Sequence, residues 1–221
     1  VPSIINPQVN ETQAPYQFDS GVIMGGANVA GGGSALSPAN VGLKAWDFPL
    51  ILANGTGSAK ATAQSLYLAQ INLNVSTVIS NIYLNYQAAG TAVSTTASFA
   101  GLYYVNSTST ATLVASTTQI GNSATVAGFA TCPLTVPFTT AASGAYYVGV
   151  LLGTSTTVPV FRTANGVITV TTDATTVAGP NAVATNYQYA VGGTSLTVLP
   201  TSLTLSSNTL TGAYAFWTGV A

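Results

Sequence analysis

Between Lys60 and Arg162 there is not one charged side chain. The whole chain of 221 residues carries three basic and four acidic ones: Lys44, Lys60, Arg162, Glu11, Asp19, Asp47 and Asp173. Solvent-facing helices are normally covered on their outer stripe by Glu, Lys and Arg, and this chain has almost none to place there. Its polar residues are mostly Ser, Thr, Asn and Gln, and its Thr, Val and Tyr suit pleated, half-buried surfaces. A hydrophobic content of 48% is ample for a core, so the expectation is an ordered, all-β protein.

The same scarcity excludes much chemistry. Histidine is absent, so neither a Ser-His-Asp nor a Cys-His site can be built. A carboxylate pair for glycoside hydrolysis would have to come from Glu11, Asp19, Asp47 and Asp173. None of these lies in a recognisable motif; Asp47 reads as a turn residue or an ion-pair partner of Lys44, and Asp173 as a turn residue. Cys132 is the single cysteine, which excludes an intrachain disulfide and a cysteine zinc cluster and suits a small buried side chain. No loop spacing supports calcium. The expectation is no catalytic residue, no cofactor and no metal. A net charge of −1 argues against nucleic acid and anionic lipid as partners and leaves little repulsion between copies. No run of about twenty apolar residues occurs, so no membrane insertion is expected. The first residues lack the basic and apolar regions of a signal peptide, which a mature chain would have lost.

Residues 1–41 differ from the rest. Pro2, Pro7, Pro15 and Pro38, with Gly25-Gly26 and Gly31-Gly32-Gly33-Ser34, mark an extended N-terminal arm and linker. Within it Val22, Ile23 and Met24 suggest a short strand or an anchoring contact. No Gly-Lys-Ser/Thr follows the glycines, so they do not read as a phosphate loop. Residues 42–221 form the expected domain. Strands are predicted over 65–73, 78–87, 99–105, 111–117, 134–138, 145–152, 158–162, 167–172, 186–191 and 214–220. Turn clusters separate most of them, Asn165-Gly166 being the sharpest hairpin signal. In the second strand, Val78, Ile82, Leu84 and Tyr86 are expected on one face and Ile79, Asn81, Tyr83 and Asn85 on a wetter one. No long helix pattern competes; residues 57–64 could make one helical turn or two at most. About ten strands spaced this way fit a two-sheet antiparallel β-sandwich, with a jelly roll as the expected topology.

Three segments occur in order: Phe99-Ala100-Gly101-Leu102-Tyr103 leading to Leu113–Thr117, Ala145–Leu151 leading to Pro159-Val160-Phe161-Arg162, and Leu199–Leu203 leading to Ser206–Leu210 and Ala215-Phe216-Trp217. With Leu43–Asp47 and the strand from Leu66 to Leu73, this ensemble resembles virion-associated structural proteins, of the minor tail type, from tailed phages infecting actinobacteria. The resemblance spans residues 43–221 and omits the arm. It implies a non-enzymatic β module on a phage particle, decorating tail or capsid or attaching to the host. Its partners would be copies of itself, with a trimer plausible by analogy, other virion proteins and a host cell-surface glycan.

Candidate assembly or binding residues are Val22, Ile23, Met24, Trp46, Arg162 and Trp217. Arg162 could hold an acidic group, stack on a ring or end a strand in solvent. The strand tyrosines suit a core or subunit interface, or else a sugar-binding face. Sequons stand at Asn10, Asn54, Asn74 and Asn106, about as many as chance gives in so Asn- and Thr-rich a chain. An alternative reading is a secreted surface filament or surface layer whose subunits are linked by donor strands from residues 1–20.

Overall fold

The structure, a computed structural model, describes residues 23–24, 27–28, 37–49, 53, 58–163, 189–207, 209–210 and 216–221. The chain divides into two units, 1–35 and 36–221. In the first, β1 (Ile23–Met24) pairs antiparallel with β2 (Ala27–Asn28). Val22, most of the expected arm, the strand over 167–172 and the Asn165-Gly166 hairpin lie outside the described residues.

The second unit is all-β, built of two antiparallel sheets. Its strands are β3 (Ala45–Trp46), β4 (Ser58–Lys60), β5 (Leu66–Leu73), β6 (Val78–Ala88), β7 (Phe99–Val105), β8 (Thr110–Ser116), β9 (Gly128–Thr139), β10 (Gly144–Leu151), β11 (Val160–Arg162), β12 (Tyr189–Val191), β13 (Ser202–Thr204), β14 (Thr209–Leu210) and β15 (Thr218–Val220). One sheet runs β13-β8-β7-β10-β5-β12-β14; the other runs β3-β15-β6-β11-β4, with β9 on the free side of β6. Among the described residues the only helical pieces are short 3-10 turns, such as Pro38–Val41. No helix there is long and apolar enough to cross a membrane, which says nothing of a β-barrel. Residues 58–64, which allowed at most a turn or two of helix, form none. Ser58–Lys60 is instead a strand, extended because Val160, Phe161 and Arg162 offer it a ladder, and such tertiary pairing outweighs local propensity.

The pairing is nested. The hairpin β7–β8 lies in the seven-stranded sheet, β6–β9 in the other, β5–β10 back in the first and β4–β11 in the second. The main core fills the space between the sheets, with Tyr67, Ile71, Leu84, Tyr86, Tyr146, Val148, Phe161 and Phe216 all buried. At one edge the sheets touch through the bridge Thr117↔Leu134. There β9 swings out from β6, the step from Ile79 to Asn81 being matched by Phe138 to Pro133.

One expected pattern is corrected in β6. Ile79 is buried and Val78 exposed, whereas Ile82, Leu84 and Tyr86 are buried as anticipated. The N–H groups of both Ser80 and Asn81 donate to the carbonyl of Ala221, at 2.6 and 2.8 Å. Two consecutive donors aimed the same way are the mark of a bulge, and a bulge inverts the alternation.

The seven-stranded sheet is buried on both faces. Leu66, Leu68, Tyr103, Tyr147 and Leu151 form a second core on its outer face, covered by Leu203 and Leu205 and by the half-buried Leu196 and Leu199. The covering segment starts beside β5, where Gly192 N–H donates to the Leu66 carbonyl and Leu66 N–H to that of Gly193. It ends beside β8, where Leu113 N–H donates to the carbonyl of Thr201. The outer face of the six-stranded sheet carries exposed residues instead.

Candidate functional site

Cross-strand register sets what that outer face presents. Trp46 on β3 stands opposite Gly219 on β15, Gly219 opposite Tyr83 on β6, and Tyr83 opposite Thr131 on β9. Directly opposed residues share a face, so Trp46, Tyr83 and Thr131 form one row with a gap at Gly219. Trp217 and Leu43 fill that gap: a Cβ on Gly219 would lie 2.9 Å from Leu43 Cδ1 and 3.2 Å from Trp217 Cη2. Glycine is needed there for close approach. Trp217 is buried, and its indole Nε1–H donates to the Phe48 carbonyl at 3.1 Å.

Phe129 completes the arrangement. It follows Gly128, whose φ of 106° few other residues adopt. Its ring meets Trp217 edge to face, centroids 5.5 Å apart and planes at 82°, the preferred geometry for two π-systems. Phe129 nevertheless remains 61% exposed. Val41, Gly42, Leu43, Tyr83, Phe129, Thr131 and Trp217 enclose a hollow of about 260 Å³. None of them is charged, and the side-chain hydroxyls among them are those of Tyr83 and Thr131. This hollow can hold an apolar or aromatic group by shape. A second hollow, about 270 Å³, lies at the seam where Val114–Ser116 on β8 face Thr135–Phe138 on β9.

Three of the sequence candidates meet at β15. Trp46 pairs with Gly219, Trp217 precedes the strand, and Trp217 N–H donates to the Arg162 carbonyl at 3.0 Å. Arg162 and Trp46 are half-buried, and Trp217 serves as the floor of the hollow. Ile23 and Met24 belong to the N-terminal unit. Sequence reasoning missed Val41, Leu43, Phe129 and Thr131. The strand expected over 134–138 begins earlier, at Gly128, and the alternation Phe129, Thr131, Pro133, Thr135 on the exposed side against Ala130, Cys132, Leu134 on the buried side was the signal available.

The remaining functional candidates have structural surroundings. Asp47, expected to be a turn or ion-pair residue, accepts Phe48 N–H and Thr218 N–H at Oδ1 and the Tyr189 hydroxyl at Oδ2, while Lys44 is exposed. Cys132 is buried, and desolvation pushes its thiol up to about 12, so the unreactive thiol form prevails near neutrality. Among the described residues no group of three His, Cys, Asp or Glu could hold a metal ion. The chain matches no family model, no curated protein and no solved structure.

Proposed function

We propose that this chain is a non-enzymatic structural protein of a tailed-phage virion, displayed on tail or capsid and acting through contacts between neutral surfaces. The observation that carries this reading is the asymmetry of the sandwich. One sheet has its outer face closed by the chain's own segment, 192–205, whereas the other offers an uncharged hollow with an exposed ring. An exposed ring held at the rim of an uncharged hollow suits contact with a neutral partner. The near-absence of charge favours contact over catalysis, since proton transfer near neutrality needs a positioned ionisable group. The resemblance of residues 43–221 to minor tail proteins supplies the setting.

The topology is proposed to be a jelly roll. What supports it is the nesting of β7–β8, β6–β9, β5–β10 and β4–β11 in alternate sheets, which is how a rolled-up antiparallel hairpin lays its strands down. Residues 1–41 would act as an assembly arm and linker towards other virion proteins, gaining backbone hydrogen bonds without charge. Copies of the chain, and a host-surface glycan, are the other partners of this reading.

Peptide mass spectrometry of gradient-purified particles, with immunogold labelling, tests it. The chain is expected to co-purify with infectious particles in stoichiometric amounts and to label one structure on them. Its absence from particles would reject the virion role. Hexosylated Asn74 or Asn106, both exposed, on native material would point to the secreted-filament alternative instead.

A further inference from the structure

We infer that the outer edge of the six-stranded sheet, along β3 and β4, receives residues 11–19 of a second copy as an added strand. The inference rests on the assembly arm proposed above and names the segment that docks and the edge that takes it. β9 pairs with one side of β6 from Val78 to Tyr86, so β15 and β11 follow each other along its other side. β3 and β4 follow each other outside those two, and among the described residues no strand pairs beyond either. Such an edge presents backbone donors and acceptors to a further strand.

The placement of the few charges selects the strand. All three basic residues of the chain stand along this edge or one strand in from it. Lys44 precedes β3, Lys60 ends β4, and Arg162 ends β11 opposite Ser58. Lys44 is exposed and Arg162 half-buried, and neither forms an ion pair among the described residues. Asp47, the one acid among those residues, already accepts Phe48 N–H, Thr218 N–H and the Tyr189 hydroxyl. Lysines on an edge repel a second copy of the same edge and favour a strand that brings acids. Residues 1–43 carry Glu11 and Asp19 and no basic residue, so the arm is that strand.

The spacing agrees. Ala45 stands opposite Val220 and Val220 opposite Ile82, which puts Lys44 level with Asn81. Lys60 stands opposite Val160 and Val160 opposite Ala88. From Asn81 to Ala88 is seven residues of β6, or about 23 Å at 3.3 Å per residue. Glu11 and Asp19 are eight residues apart, about 26 Å in an extended segment. Between them Ala14, Tyr16 and Phe18 alternate with Gln13, Pro15 and Gln17. A strand over 11–19 therefore has its rings on one face and both acids on the other. Pro15 lacks an N–H, which an edge strand tolerates when that position points away from the ladder.

Light scattering and sedimentation equilibrium on the full chain read the outcome. The wild type is expected to exceed the 22.2 kDa of one copy and to dissociate as salt rises. One variant carries Glu11→Lys and Asp19→Lys, the other Lys44→Glu and Lys60→Glu. Each sets like charges together and should weaken association roughly tenfold or more. Mixing the two should restore it, because every arm then meets an edge of opposite charge on the other variant. Val198→Lys, at an exposed valine on the covering segment of the other sheet, should leave the mass unchanged. Near-UV circular dichroism and Tm verify folding, and Lys44→Glu alone, at an exposed position, serves if the double edge variant misfolds. A monomeric wild type, which docking of an arm on its own copy would give, overturns the inference. So does an oligomer that survives both reversals, or a mixture of the folded variants that stays monomeric. Failure to find the chain in virions would reject the function proposed above and leave these masses unaffected.

Discussion

Tyr189 on β12 donates its hydroxyl to Oδ2 of Asp47 at 3.2 Å, joining the seven-stranded sheet to the end of β3 in the other. The second oxygen of the same carboxylate accepts Phe48 N–H at 2.9 Å and Thr218 N–H at 3.1 Å. One side chain thus ties β3, β15 and β12 together across the layers. Asp47 as a residue is half-buried, but protein packs around its carboxylate, and desolvation raises its pKa well above the usual range despite the hydrogen bonds that lower it.

The sign of the resulting pH dependence follows. A folded-state pKa above the unfolded one means that the native protein binds the proton more tightly. The linked stabilisation is complete below the unfolded value of about 4 and is lost as pH rises through the folded one. Asp47→Asn keeps an acceptor at Oδ1 and cannot ionise, so it should flatten the fall in stability between about pH 4 and neutrality and be at least as stable as wild type at neutral pH. Asp47→Ala leaves three donors without this acceptor and should cost about 2–4 kcal/mol. Urea unfolding over a pH series measures both; an Asn variant with the wild-type slope would assign the proton elsewhere.

Tyr86 gives a prediction of opposite direction. Its ring is buried between the sheets and stacks on Phe161 with centroids 5.1 Å apart, yet its hydroxyl has no hydrogen-bond partner among the protein groups described. Burying a hydroxyl unpaired costs about 1–3 kcal/mol. Tyr86→Phe keeps the stacking and removes that atom, so it should raise stability by about 1 kcal/mol. A thermal or denaturant midpoint at or below that of wild type would mean that the hydroxyl is satisfied.

Much of the fold was legible because local pattern and tertiary pairing agree. The strands expected over 65–73, 99–105, 111–117 and 145–152 match β5, β7, β8 and β10 within a residue at each end. Where they disagree, the sequence was silent. The bulge at Ser80-Asn81 depends on a carbonyl from Ala221, which no local window contains. β4 is a strand because β11 lies beside it. No strand is expected over 192–205, because β13 is only three residues long and Leu196 and Leu199 lie outside any strand. The hollow was half visible: Trp46 and Trp217 were among the sequence candidates, but Phe129 acquires meaning only once β9 lies beside β6.

That covering segment should be separable from the sandwich beneath it. Leu203 is buried against the outer face and Leu199 is half-buried there. Leu203→Ala removes a buried leucine and opens a cavity, a change that costs about 2–5 kcal/mol. Since the segment is held only at its ends, by β5 and through the edge strand β13, and packs on the face remote from the main core, local opening should precede global unfolding. Hydrogen exchange in the variant is expected to quicken over 192–205 before β5, β7 and β10. Uniform loss of protection would mean that the two cores unfold as one.

The last prediction concerns the edge at β9. Beyond the bridge from Thr117 to Leu134, no described strand pairs with its outer side. Edge strands commonly carry Lys to deter pairing with other chains, and none is present between Lys60 and Arg162. Pro133 and Pro137 supply the deterrent instead. Pro133 faces Asn81 on β6, and having no N–H it can neither extend the ladder outward nor template a further strand there. Together with the excursion over Leu134–Pro137, it breaks what would otherwise be a long, flat, uncharged edge. Pro133→Val restores a donor and adds a β-branched side chain at an exposed position. Its effect on unfolding free energy should be within about 0.5 kcal/mol, while light scattering on mild heating should rise well before that of wild type. Equal onset of aggregation in the two proteins would show that the bulge alone guards this edge.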